Sequence, residues 1–325
     1  VAAASTVNMA NDASISASSL GDGTAGNITV DAGNSLDMNS SSITSRAEGA
    51  GNGGDISVVA ASSVNMANNS SISASSLGDG TAGNISVNAG NTLDMNSSSI
   101  TSEAEGAGDG GDISVFAASA ISMANASNIS ANSLGDGLAG NISLDAGKTF
   151  NMSDSSITTQ AVVSDGGDIR LVATDMIYLS QSEITTSVES GVGGGGNIFI
   201  DPDFVILKQS NILANAFGGP GGNINIIAGN FIATPDSVVD ASSALGIDGT
   251  VNIRAPDETV SEDLAVLPDN YLDMTSLMSD RCGTTAGASS LVDAGPGGRV
   301  VDPDGYLPSF VATIDNDEKT ENNSS

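Results

Sequence analysis

"GNISVNAGNTLDMNSSSITS", residues 83–102, carries the reading on which the whole chain depends. Its apolar side chains fall at Ile85, Val87 and Ala89, then at Leu93 and Met95, then at Ile100. Alternation with a period of two, broken by Ala-Gly-Asn and Asn-Ser-Ser, predicts three short strands separated by corners. A helix is disfavoured, because Gly, Asn, Ser and Thr dominate and no apolar stripe of helical period outlasts a turn. Nearly the same words, "GNITVDAGNSLDMNSSSITS", stand 57 residues earlier at residues 26–45.

The repetition continues in both directions. "GNITV" begins at Gly26, "GNISV" at Gly83 and "GNISL" at Gly140, while "GDISV" begins at Gly54 and Gly111 and "GDIRL" at Gly167. Less faithful copies follow, with "GNIFI" at Gly196, "GNINI" at Gly222 and "GTVNI" at Gly249. The basic unit is therefore about 28 residues, used roughly nine to ten times. Three strands, a corner and the same three strands again describe an all-β parallel solenoid over residues 1–255. At about 4.8 Å per coil it would be roughly 45 Å long. One column runs through Ile28, Ile56, Ile85, Ile113, Ile142, Ile169, Ile198, Ile224 and Val251. Another runs through Ile15, Ile43, Ile72, Ile100, Ile129, Ile157, Ile184, Ile212 and Val239, with Ser two residues earlier in nearly every coil. No single unit could fold alone, because only its neighbours bury its inward face. The Gly-rich stretches "SLGDGTAG" and "AEGAGDGG" are expected to form wide turns in which Gly takes positive φ.

Bulk composition narrows the function. The 325-residue chain has 39 acidic residues against eight basic ones, no His, and a net charge of −31. A nucleic-acid partner needs clustered Lys and Arg and is excluded on this balance. An anionic membrane surface would repel the chain for the same reason. Cys282 stands alone, so no disulfide can form within the chain. The opening "VAAASTVNMA" lacks Met and reads as a fragment or a processed product.

Two side-chain columns invite a chemical reading. Met9, Met38, Met66, Met95, Met123 and Met152 share one position in six successive coils. Stacked thioethers suit a soft metal ion, but Leu179 and Leu207 continue the column, which identifies it as core packing. Asn27, Asp55, Asn84, Asp112, Asn141, Asp168, Asn197 and Asn223 precede the first strand of each coil. These are expected to form a structural ladder of hydrogen bonds at a sharp corner. Whether the alternation of Asn with Asp uses charge or avoids it is left open by the sequence. Asp22, Asp79 and Asp136, inside "SLGDG", form the one column that could hold Ca²⁺ loosely, although solvated loop tips are the simpler reading. No cofactor is otherwise expected. Ser–His–Asp and Cys–His catalysis require a His that the chain lacks. Carboxylate pairs of the glycosidase type would break the repeat once, and no such break is apparent before residue 255. The chain reads as a non-enzyme.

After Ala255 the repeat stops. Residues 256–310 read as a non-repeating cap containing one short helix, "DMTSLMSDRC", with Asp273 as its N-cap. Residues 311–325 read as a polar, acidic tail. The repeat style, together with "DASSALGIDGTVNIRAPD", "LPDNYLDMTSLMSDRC" and "GRVVDPDGYLPS", resembles the C-terminal part of filamentous-haemagglutinin-like exoproteins of two-partner secretion. That resemblance implies a right-handed parallel β-helix, secreted by a diderm bacterium through an outer-membrane transporter partner and displayed at the cell surface. The N-terminal secretion domain of that family has no counterpart in this sequence, so export by this route is an expectation for a longer precursor. The function expected is an extracellular adhesin or surface scaffold, with a glycan or cell-surface ligand. The alternatives are a subunit of a homopolymeric filament stacked end to end or side by side and, more remotely, a polysaccharide-active enzyme.

Overall fold

A computed structural model of the chain describes residues 1–255. The expected cap, its helix at Asp273, the tail and Cys282 lie outside the described residues. Within them the chain is all-β, without helix, and winds as a parallel β-solenoid of about nine turns of about 28 residues. Three sheets form its walls, of ten, nine and nine strands. One coil shows the plan: Ile85–Ala89 lies in the first sheet, Thr92–Asn96 in the second and Ser99–Ala104 in the third.

Every strand pairs in parallel with the equivalent strands of the coils before and after. Met95 aligns with Met66 on one side and Met123 on the other. Ile100 lies between Ile72 and Ile129, and Ile85 between Ile56 and Ile113. The columns read from the sequence are thus the register of the fold. Because strand side chains alternate between faces, one choice of register sends all the apolar positions inward together. Ile85, Val87, Leu93, Met95 and Ile100 are all buried, and the apolar residues of successive coils merge into one continuous core. Phe150 enters the column of Leu93 and Ile121 and is completely enclosed.

The 57-residue period has a local cause. Between the second and third sheets the chain turns through residues of positive φ. Ser40 and Ser97 each make this turn alone, at 48° and 49°. Asn68–Asn69 and Asn125–Ala126 make it as pairs. As far as Ala126, alternate coils therefore carry one extra residue at this corner and the sequence repeats over two coils, whereas Asp154, Gln181 and Gln209 make the turn alone in three successive coils.

The glycines behave differently from the expectation. Among the described glycines only Gly147 and Gly191 have positive φ, whereas the left-handed positions are held mainly by Asn, Ser, Asp and Gln. From Gly54 onward the glycine opening each coil serves close approach instead. A Cβ on Gly83 would overlap the backbone carbonyl of Gly54, and one on Gly111 would overlap that of Gly83. By contrast, a Cβ on Gly21 would meet nothing. Gly83→Ala is expected to destabilise the fold by about 1–3 kcal/mol through overpacking against backbone that cannot rotate away. Gly21→Ala should stay within about 0.5 kcal/mol of the unaltered chain. Urea unfolding of the two variants side by side checks the contrast.

Candidate functional site: polar ladders and an axial groove

The Asn/Asp column forms a continuous ladder on the exposed corner before the first sheet. The backbone N–H of Asp55 donates to Asn27 Oδ1 at 2.8 Å, and that of Asn84 donates to Asp55 Oδ1 at 2.8 Å. The same step recurs from Asp112 to Asn84, Asn141 to Asp112, Asp168 to Asn141, Asn197 to Asp168 and Asn223 to Asn197. Each side-chain oxygen thus satisfies a backbone donor in the next coil. The Asn amides add a second bond to the ladder, as Asn223 Nδ2 does to Asn197 Oδ1 at 2.9 Å. Asn141 Nδ2 also donates to Asp112 Oδ1 at 3.0 Å, and Asn197 Nδ2 donates to Asp168 Oδ1 at 3.0 Å. A carboxylate accepting two N–H groups makes charge-assisted bonds, and the intervening Asn keeps adjacent carboxylates two coils apart.

Inside the coil, two sets of hydroxyls solve a different problem. Ser70, Ser98, Ser127, Ser155, Ser182 and Ser210 are buried beside the second corner. Their Oγ atoms donate to nearby backbone carbonyls, as Ser70 does to Ala67 at 2.6 Å and Ser182 to Ser180 at 2.7 Å. Ser45 and Ser102 staple the third sheet to the glycine corner. Ser102 Oγ donates to the Gly83 carbonyl at 2.7 Å and accepts the Gly111 N–H at 3.0 Å. No buried side-chain nitrogen or oxygen among the described residues lacks a partner.

The Met column is buried from Met9 through Met152, with Leu179 next in register, as core packing requires. Asp22, Asp79 and Asp136 fall in alternate coils, about 10 Å apart at the strand spacing, too far for one ion to bind two of them directly. Asp22 and Asp79 accept backbone N–H groups of Ala50 and Ala107 at 3.2 and 3.4 Å. The structure therefore places Asp22 and Asp79 as caps of stacked loops, while Asp136 accepts Ser164 Oγ–H through its backbone carbonyl at 2.6 Å. No group of three or more His, Cys, Asp or Glu converges among the described residues.

A feature that the sequence reading missed runs along the corner between the second and third sheets. Three hollows lie end to end there. The first is lined by Asp12, Ser40 and Asn69, the next by Asn69, Ser97 and Ala126, and the last by Ala126, Gln181 and Gln209. Shared residues join them into one polar groove parallel to the stack. It follows the left-handed residues, whose backbone turn sets the side chains at the corner. The signal in the sequence was the change from Ser-Ser-Ser at residues 40–42 and 97–99 to Gln-Ser-Glu at 181–183 and Gln-Ser-Asn at 209–211.

One carboxyl near the third sheet is electrostatically strained. Burial of Glu103, and secondarily repulsion from Glu105, push its pKa above the ordinary value. A carboxyl whose folded pKa exceeds its unfolded pKa weakens the fold when ionised. The penalty is present above the folded pKa and disappears as pH falls below the unfolded one. Glu103→Gln should therefore raise the melting temperature at pH 7 and give no gain at pH 3, where Glu103 is protonated in both states. For the ladder, Asp112→Ala should cost about 1 kcal/mol by removing the acceptor of two N–H groups. Asp112→Asn keeps that acceptor oxygen and should cost less, as thermal melts of both variants would show. Comparison of the chain with known protein families, with curated proteins and with solved structures finds no match.

Proposed function

We propose that this chain is the rod of an extracellular surface protein, an adhesin or surface scaffold that works by presenting repeated chemistry rather than by catalysis. The observation that carries the reading is the in-register display of the same loops at fixed spacing. "SLGDG" recurs at Asp22, Asp79 and Asp136, every second coil, on a frame whose strands align residue for residue. Sites held at fixed spacing convert weak single contacts into avidity, because every contact after the first is intramolecular. The acidic surface supports a role in the open, as self-repulsion keeps such rods soluble and apart. The resemblance to filamentous-haemagglutinin-like exoproteins supports delivery of a longer precursor across an outer membrane by a transporter partner, to the cell surface or beyond it.

Beads coated with the full chain test this reading against a panel of bacterial and animal cells. Retention of the beads on at least one cell type, with competition requiring a large excess of soluble monomer, is expected. Retention no greater than that of uncoated beads on every surface contradicts it. A chain that instead grows into fibres in sedimentation experiments, with no adhesion, would point to the filament alternative.

A further inference from the structure

We propose that the axial groove binds a neutral, linear polysaccharide laid parallel to the stack, with its principal subsite at Gln181, Glu183, Gln209 and Asn211. The proposal rests on the adhesin reading above and names the ligand class for one face of the rod. The hollow at this end of the groove measures about 520 Å³. Glu183 and Asn211 are register partners in the third sheet, one coil apart. Gln181 and Gln209 hold the matching corner position, each at φ 50°. The four side chains therefore mark the corners of a rectangle about 4.8 Å along the rod axis.

Three observations point to a sugar. First, the side chains of these four residues make no hydrogen bond within the described residues, so their donors and acceptors face the hollow. Two amides, a third amide and a carboxylate offer both donors and acceptors, which is what adjacent sugar hydroxyls require. Second, the backbone beneath is fixed. Ser182 and Ser210 are buried between the outward residues, and the Ser182 N–H donates to Ser210 Oγ at 3.2 Å. Such a frame loses little freedom on binding. Third, Gln occupies a left-handed position that favours Asn, Asp or Gly, where equivalent coils carry Ser40 and Ser97. The longer amide stands at this turn in two successive coils, Gln181 and Gln209.

The charge of the ligand follows from the lining. None of the three hollows is lined by Lys or Arg, while Asp12, Asp154 and Glu183 contribute carboxylates. Uronates and sulfated sugars would be repelled. No aromatic ring lines the groove either, so binding depends on hydrogen bonds that are weak singly and accumulate along the chain. The groove spans the coils from Asp12 to Gln209, about 34 Å at the strand spacing, which accommodates a polymer rather than a monosaccharide.

Affinity electrophoresis of the full chain through gels containing soluble xyloglucan, mannan or a β-1,3-glucan tests the proposal, with alginate and polygalacturonate as anionic probes. At least one neutral polymer should retard the chain, and neither anionic polymer should. Gln181→Ser/Gln209→Ser installs the residue that Ser40 and Ser97 already carry, so the fold should hold. It should weaken retardation by about tenfold, the effect of losing two hydrogen bonds. Glu183→Ser, matching Ser42 and Ser99, should show a comparable loss at an unchanged melting temperature. No retardation by any neutral polymer, preference for an anionic one, or unchanged affinity in both variants overturns the proposal. Beads that adhere to cells while no neutral polysaccharide binds would remove the groove assignment and leave the adhesin reading intact. Polysaccharide binding without adhesion would do the reverse.

Discussion

A strand in a parallel solenoid finds its backbone hydrogen-bond partners only in the coils immediately before and after it. That constraint governs the rest of this molecule. An unpaired N–H or C=O enclosed by the stack would cost as much as a lost hydrogen bond, so each coil must reproduce the path of the last. Ile85 lies between Ile56 and Ile113 for this reason, and the apolar columns follow from it. The glycine corners are a second consequence. Where the third sheet returns to the first, successive backbones approach so closely that Gly83 and Gly111 have no room for a Cβ.

Polar side chains extend the same logic into places the strands do not reach. At the exposed corner, Asn84 and Asp112 receive the backbone donors of the following coil and continue the ladder between strands. Beneath the second corner, buried serines take up nearby carbonyls. Ser102 ties the third sheet to two successive glycine corners. Alternating Asp with Asn lets a strongly acidic chain place carboxylates in a stacked column without setting them directly against one another.

The inward columns were legible in the sequence because a period of two and a period of about 28 residues leave one consistent register. Ile100 and Met95 could be placed with no knowledge of their neighbours' coordinates. The positions of the Asn/Asp ladder were equally visible, but its bonding was not, because the acceptor's partner is a backbone N–H of another coil. The glycines misled in part. Gly suggests positive φ, yet at Gly83 it answers close approach, while Ser97 and Asn125 make the left-handed turn. The groove escaped notice because it is lined by ordinary Ser and Asn. Gln181, Glu183 and Gln209, like Asp154 beside them, depart from the repeat there by substitution rather than by insertion.

Fold and proposed role share one premise, that coils are interchangeable units held in register by their neighbours. Removing residues 57–113, one full 57-residue repeat, joins Ile56 to Ser114 and should leave every column aligned. Small-angle scattering of this shortened chain, compared with the unaltered one, tests that premise most directly. The account predicts an unchanged cross-section, a length shorter by about 10 Å for two coils, and a retained cooperative melt. An expanded, non-cooperatively melting chain, or a shortened one with an altered cross-section, would contradict it.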